Sequence, residues 1–262
     1  MQRCFRTATR ACAWIVLIAL SYTPMGAQGD GGTARTLPSS ETLQYSVEWR
    51  LINAGNARLS IEPAHTSGSQ WEAKVHLESV GMVSKLYRLD DNYAVRLEDQ
   101  FCATGSDMST IEGKKRRETK VQYDRSKGRA TYSERDLLKN GLVDTKEIEV
   151  PTCVSDVVGG LYKLRLMHLE PGQSTQIPTS DGKKSAAVRI EAQAREEIKT
   201  KLGTFKTIRY EAFIFNGVIY SKKASMLVWI TDDARRLPVQ MRARMSFPIG
   251  SITLQLDKET HS

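Results

Sequence analysis

The sequence predicts a mainly β protein: a strongly curved antiparallel sheet, or incomplete β-barrel, of about a dozen strands with one main amphipathic helix. Three observations carry this. Apolar and polar residues alternate over many short runs, turn-forming dipeptides separate the runs, and one segment switches from alternation to helical spacing.

The alternation appears at Tyr45, Val47 and Trp49, at Ala57, Leu59 and Ile61, at Trp71, Ala73, Val75 and Leu77, and at Tyr93, Val95 and Leu97. It returns at Val188, Ile190 and Ala192, at Val239, Met241, Ala243, Met245 and Phe247, and at Ile252, Leu254 and Leu256. One face of each run meets a core and the other meets water, the habit of antiparallel sheets. Ala54-Gly55, Lys127-Gly128, Asn140-Gly141, Asp181-Gly182 and Asn216-Gly217 supply the turn chemistry, so consecutive strands are expected to form hairpins. From Ser155 to Met167, Val157, Val158, Leu161, Leu164 and Met167 recur at helical spacing behind Ser155 or Asp156 as N-cap. A shorter helical turn is expected over Gly81 to Tyr87. The unbroken run Met226-Leu227-Val228-Trp229-Ile230 predicts a strand covered on both faces, on one of them by the helix.

Three segments organise the chain: a cleavable signal peptide over residues 1–29, a flexible lead over 30–41, and a single domain over 42–258. Arg3, Arg6 and Arg10 precede an apolar run from Ala11 to Leu20, and small residues follow, with Ala27 or Gly29 as the cleavage position. That run falls short of the roughly 20 apolar residues that span a bilayer, and neither Cys4 nor Cys12 sits where a lipidated cysteine would. The expected location is therefore periplasmic or secreted, without a membrane span after cleavage. Removing the segment leaves 35 Lys plus Arg against 30 Asp plus Glu, so the net charge falls from +8 to +5. Such mild, interspersed basicity suits a solvated surface and gives no nucleic-acid footprint. Cys102 and Cys153 remain, and an oxidising compartment favours a disulfide between them over two separate buried thiols.

The sequence contains no metal-ligand spacing, nucleophile elbow or phosphate loop, and no cofactor or catalytic residue is predicted. His65, His76, His168 and His261 have no telling context. Ser180-Asp181-Gly182-Lys183 matches a Ser-x-x-Lys pattern, but its central Asp-Gly reads better as a hairpin turn. Asp90-Asp91 and Asp232-Asp233 could act in acid–base or cation chemistry, yet adjacent carboxylates on an extended chain point to opposite faces, and turn roles fit better. Lys114, Lys115, Arg116 and Arg117 form a basic run that suits contact with an anionic lipid or polymer; solvated charge is the plainer account. Met226, Trp229, Met241, Met245 and Phe247, with Phe213 and Phe215, are candidates to line an apolar ligand pocket in the concavity, or else plain core.

Several segments, in order and spacing, resemble a bacterial family of exported proteins of unknown function, DUF3108. They are Leu43 to Trp49 with Ala54 to Ala57, Glu112 to Arg116, Asp156 to Arg165, Gly203 to Thr207, and Trp229 to Val239. The resemblance implies no catalytic residues. It implies an architecture similar to the half-barrel of periplasmic carriers of the LolA/LolB type, which shelter acyl chains against a curved sheet. The leading expectation is thus a monomeric, non-enzymatic envelope protein that binds a hydrophobic or lipid-like ligand. The alternatives are an envelope scaffold or adaptor binding another protein, and an enzyme acting on glycan or lipid through Asp232 or Asp233.

Overall fold

The computed structural model describes residues 38–261 except 66–67, 140 and 247–249. The segment read as a signal peptide, most of the segment read as a flexible lead, Asn140 and Phe247 lie outside the described residues. From Glu41 the chain runs as an antiparallel meander: β1 (Glu41–Trp49), β2 (Ile52–Pro63), β3 (Trp71–Ser79), β4 (Leu89–Leu97), β5 (Ala103–Glu112), β6 (Lys115–Asp124), β7 (Arg129–Asp136) and β8 (Leu142–Glu149). A six-residue helix α1 (Gly81–Leu86) joins β3 to β4, and the main helix α2 (Val157–Leu166) follows β8. A second meander closes the chain: β9 (Ser174–Ser180), β10 (Ser185–Thr200), β11 (Gly203–Ala212), β12 (Ala224–Thr231), β13 (Pro238–Met245) and β14 (Ser251–His261). β14 pairs with β1, so the two meanders share one 14-stranded sheet with β8 and β9 at its edges.

The sheet curls until its edges meet, although β8 and β9 do not pair. The turn joining β9 to β10 reaches the inner face of the opposite edge, where a Cβ on Gly182 would come within 2.7 Å of Val121 and 3.2 Å of Tyr132. Lys146 donates to the carbonyl of Lys183 at 2.9 Å across the same gap. Lower down, the segment after β8 stitches both sides. The Ala103 amide donates to Val154 O at 2.8 Å, and Ser155 exchanges backbone bonds with Pro178 and Ser180 at 2.9 Å each. A disulfide between Cys102 and Cys153 fastens this seam.

Hairpins form where the turn dipeptides predict, with one exception. Ala54 and Gly55 lie inside β2, and the chain reverses at Arg50-Leu51 instead. Gly55 sits beside a register shift against β1, where a Cβ would come within 2.2 Å of Glu78 O, so close backbone approach is what this glycine serves. The outward face carries Asn56, Arg58, Ser60 and Glu62 on β2 and Glu72, Lys74, His76 and Glu78 on β3. That is the inverse of the apolar outer band of a membrane-spanning barrel. No helix among the described residues is long and apolar enough to cross a membrane.

β1 begins at Glu41, inside the segment read as flexible lead, because that side chain has a buried partner. Arg165, near the end of α2, donates Nη1 to Glu41 Oε2 at 2.5 Å and Nη2 to Oε1 at 2.8 Å. It also donates Nε to the carbonyl of Arg236 at 2.8 Å. Burial opposes the charge on Arg165, but the Glu41 carboxylate outweighs it and holds the guanidinium pKa above its usual value.

Candidate functional site

The candidate site is an apolar cavity of about 210 Å³ between α2 and the inner face of the sheet. Its position follows from how α2 is anchored. Asp156 caps the helix, accepting from the Val158 amide at 3.0 Å and the Gly159 amide at 2.8 Å, and Tyr93 donates its hydroxyl to the same carboxylate at 2.8 Å. Burial pushes the Asp156 carboxyl up, against the pull of these donors. Gly159 lets the first turn press against the sheet, since a Cβ there would come within 2.9 Å of Leu97. Phe101 and Tyr162 stack with centroids 5.9 Å apart, and Arg165 fixes the last turn.

These anchors hold α2 against one rim of the curled sheet, the end that carries the β4–β5 and β12–β13 turns. The inner face is consequently not buried evenly. Near that closed rim Leu43, Ala73, Leu97, Ile230 and Leu256 are 0 % exposed. Towards the other end of the same strands Leu77, Tyr93, Met226, Ile252 and Leu254 are only partly buried, as are Val157, Val158 and Leu161 of α2. The cavity lies in this transition. It is lined by α2, by Leu59, Ile177 and Ile190 deeper in, and by Met226, Met241 and Leu254 nearer the open rim.

Of the residues predicted to form an apolar pocket, the structure brings Met226 and Met241 together on the cavity wall. Met245 shares their face but lies beyond the cavity, paired with Ala224 at the strand's rim end. Trp229 points to the outer face: its indole N–H donates to Glu196 Oε2 at 2.7 Å and its ring lies under the Arg242 guanidinium. It is buried by long charged side chains rather than by the core. The run Met226 to Ile230 therefore has both faces covered, as expected, but only the Met226–Val228 face lines the cavity. Sequence reasoning assigned the helix's apolar residues to packing; Val157, Val158, Leu161 and Leu164 are cavity wall, and helical spacing alone cannot separate the two.

The basic run forms the tip of the β5–β6 hairpin. Lys114, Lys115 and Arg116 are exposed, while Arg117 pairs with Glu134 at 3.0 Å. Both carboxylate pairs have structural partners. Asp232 binds Arg195 at 2.8 Å, and Asp233 accepts from Thr231 at 2.6 Å and from the Arg235 amide at 3.1 Å within the β12–β13 turn. Ser180 and Asp181 accept backbone bonds from Gly182, Lys183 and Lys184, so the Ser-x-x-Lys pattern is a turn. Cys102 and Cys153, being bridged, offer no thiol.

Asp90 and Asp91 do point to opposite faces. Asp90 approaches His76 at 3.2 Å, whereas Asp91 lies half-buried beside Glu112 and accepts from the Ile111 amide. Burial first and Glu112 second push the Asp91 carboxyl up to about 6 from 3.8. A carboxyl raised in the folded state binds its proton more tightly there, so its effect is to lower stability as pH rises from about 4 to about 6. Asp91→Asn is expected to remove that decline and to stabilise the protein at pH 7 by about 1 kcal/mol, partial solvation cutting the full shift. Urea denaturation at pH 4 and pH 7 measures it; equal losses in both proteins would reject the assignment.

A family model described as "protein of unknown function (DUF3108)" matches residues 44–257. The chain belongs to the DUF3108 family. Among solved structures, this DUF3108 chain is similar to a β-barrel-like protein of domain of unknown function DUF1849 from Brucella abortus. That match has 8 % identity and a TM-score of 0.54, covering 87 % of this chain and 99 % of that one. At that identity the likeness shows the fold alone. A protein from Bacteroides fragilis described as exported, with a YmcC-like fold, matches at 11 % identity and a TM-score of 0.38, over 87 % of this chain and 100 % of that one. No curated protein matches the DUF3108 chain in sequence.

Proposed function

We propose that this DUF3108 protein works outside the cytoplasm as a binding protein that holds a lipid-like apolar ligand between α2 and the inner face of the sheet. The observation that carries the reading is the unevenly buried interior. A cavity of about 210 Å³ with almost wholly apolar walls continues towards a rim where inner-face side chains are left partly exposed. Apolar surface held open costs free energy on the order of 25 cal/mol per Å², so a site of this kind favours whatever apolar group can cover it. Met226 and Met241 suit the role because their unbranched thioethers adapt to irregular chains. The Cys102–Cys153 bridge fits an oxidising compartment, as does the signal-like N-terminal segment.

The test fills the site from the helix side. A Cβ on Gly160 would meet its nearest neighbours, Thr179 and Ile177, only at 3.9 and 4.0 Å, so a side chain at this position grows into the cavity without clash at its first atom. Gly160→Leu is expected to weaken binding of an apolar fluorescent probe by about tenfold or more while keeping the fold. Gly160→Ala, which leaves most of the space, should bind nearly as wild type and gain about 0.5–1 kcal/mol of stability from helix propensity. Equal probe affinity in wild type and Gly160→Leu, with no lipid detected by mass spectrometry of the gently purified protein, would sink the reading.

A further inference from the structure

In an antiparallel meander, alternate connections fall at opposite ends, and the two ends of this sheet differ sharply. The open rim carries the β1–β2 turn, α1, the β5–β6 and β7–β8 turns, and the β9–β10, β11–β12 and β13–β14 connections. Of the nine large hydrophobic side chains that stand exposed among the described residues, seven lie on these connections and an eighth, Ile52, opens β2 beside the β1–β2 turn; only Leu202 lies at the closed rim. Charge divides the same way. The open-rim connections hold nine Lys or Arg and one acid, Asp181, whereas those of the closed rim, α2 included, hold seven bases and six acids.

Two local structures show that the exposed apolar groups are held out rather than left over. Arg50 and Leu51 turn the β1–β2 hairpin with φ of 49° and 69°, a conformation that suits Asn-Gly and is strained for a leucine. Leu51 is nonetheless 95 % exposed, so its own side chain has no packing to offset the strain at that residue. Helix α1 has no buried residue, and Met82 and Leu86, four apart on one face, are 77 % and 80 % exposed. Tyr87 lies over Gly113, where a Cβ would come within 3.0 Å of its ring, which places α1 next to the β5–β6 tip with its exposed Lys114, Lys115 and Arg116.

We propose that the open rim docks on the surface of a bilayer rich in anionic lipid. Leu51, Met82 and Leu86 enter the headgroup–acyl boundary while Lys85, Lys114 and Lys115 face the phosphates. Apolar insertion combined with basic charge is the pairing that holds peripheral proteins on such surfaces, and neither the closed rim nor the polar outer face offers it. The inference extends the cavity reading, since the cavity opens towards this rim and an acyl chain could pass from bilayer to protein without crossing water.

The experiment is vesicle flotation of the exported, processed protein on phosphatidylcholine vesicles with and without phosphatidylglycerol. Binding is expected to be at least about tenfold stronger with the anionic lipid and to weaken with added salt. Converting the turn to its relaxed form, Arg50→Asn with Leu51→Gly, should stabilise the fold yet lower vesicle affinity about tenfold, so misfolding cannot explain the loss. Lys85→Glu with Lys114→Glu should remove the preference for phosphatidylglycerol. Leu202→Glu, at the closed rim, should change nothing. Absence of vesicle binding, indifference to phosphatidylglycerol, or rim variants that bind as wild type would overturn the proposal; so would retention of vesicle binding by the rim variants alongside loss of a protein partner. Gly160→Leu separates the two readings: it should empty the cavity of probe and leave docking intact, whereas the rim variants should dock poorly and still bind probe.

Discussion

Arg165→Leu is expected to lower stability by about 3–5 kcal/mol, because it strands a carboxylate in the core. Glu41 is 3 % exposed and Arg165 1 %, and the guanidinium is also the donor to the carbonyls of Arg235 and Arg236. Removing the cation leaves Glu41 with its charge and no counterion. It also removes the bonds by which the last turn of α2 holds β1 and the Arg235 and Arg236 carbonyls, leaving the Arg236 donation to Met167 O between the helix end and the β12–β13 turn. The double variant Glu41→Leu with Arg165→Met should recover much of the loss, since an apolar pair of similar volume has no desolvation to repay, although the two carbonyls stay unmatched. Urea denaturation of the two variants makes the measurement. A loss below about 1 kcal/mol in the single variant would mean that water reaches Glu41 and that the pair is not the anchor its geometry describes.

Loss of the Cys102–Cys153 bridge comes next in size. The bridge joins cysteines 51 positions apart, a closure worth about 4 kcal/mol in the chain-entropy account. Cys102→Ser with Cys153→Ser is expected to cost about that much, and reductant should destabilise the wild type similarly. The damage should also be local. Cys153 lies in the seam that carries the Ala103–Val154 and Ser155–Pro178 bonds, just before the Asp156 cap. Amide exchange should therefore accelerate across Val157 to Leu166 well before it does in β12 or β13. Uniform acceleration throughout the sheet would refute a local fastening role, and a cost under 1 kcal/mol would refute the entropic one.

If the cavity holds a ligand, these two fasteners are part of how it works. The 14 strands supply a curved apolar surface, but it is α2, held by Asp156 at one end and Arg165 at the other, that fills the closed end and stops short of the open one. Weakening either anchor should change ligand capacity as well as stability. A helix free to slide would fill the space that a fixed helix leaves open.

Much of this was written along the chain. Strict alternation placed β1 through β4, β10, β13 and β14, because a half-buried strand must show period two. Helical spacing behind Asp156 placed α2, because the cap and the apolar stripe are both local signals. The disulfide was reachable by counting the cysteines that follow the segment read as a signal peptide. What the sequence could not show is what depends on curvature and on partners far apart in the chain. Trp229 and Met226 look alike in an unbroken apolar run, yet an odd spacing of three residues sends one under Arg242 and the other into the cavity. Glu41 reads as the end of a polar lead until its partner, 124 residues away, is brought beside it. The rim is harder still: Leu51, Met82, Lys85 and Lys114 share no motif, and only the alternation of connections in a meander gathers them at one end. Local periodicity thus determined which residues face inward, since that depends on neighbours along the strand. Curling of the sheet and the seat of α2 decided which inward faces stay uncovered, because burial depends on what lies across the core.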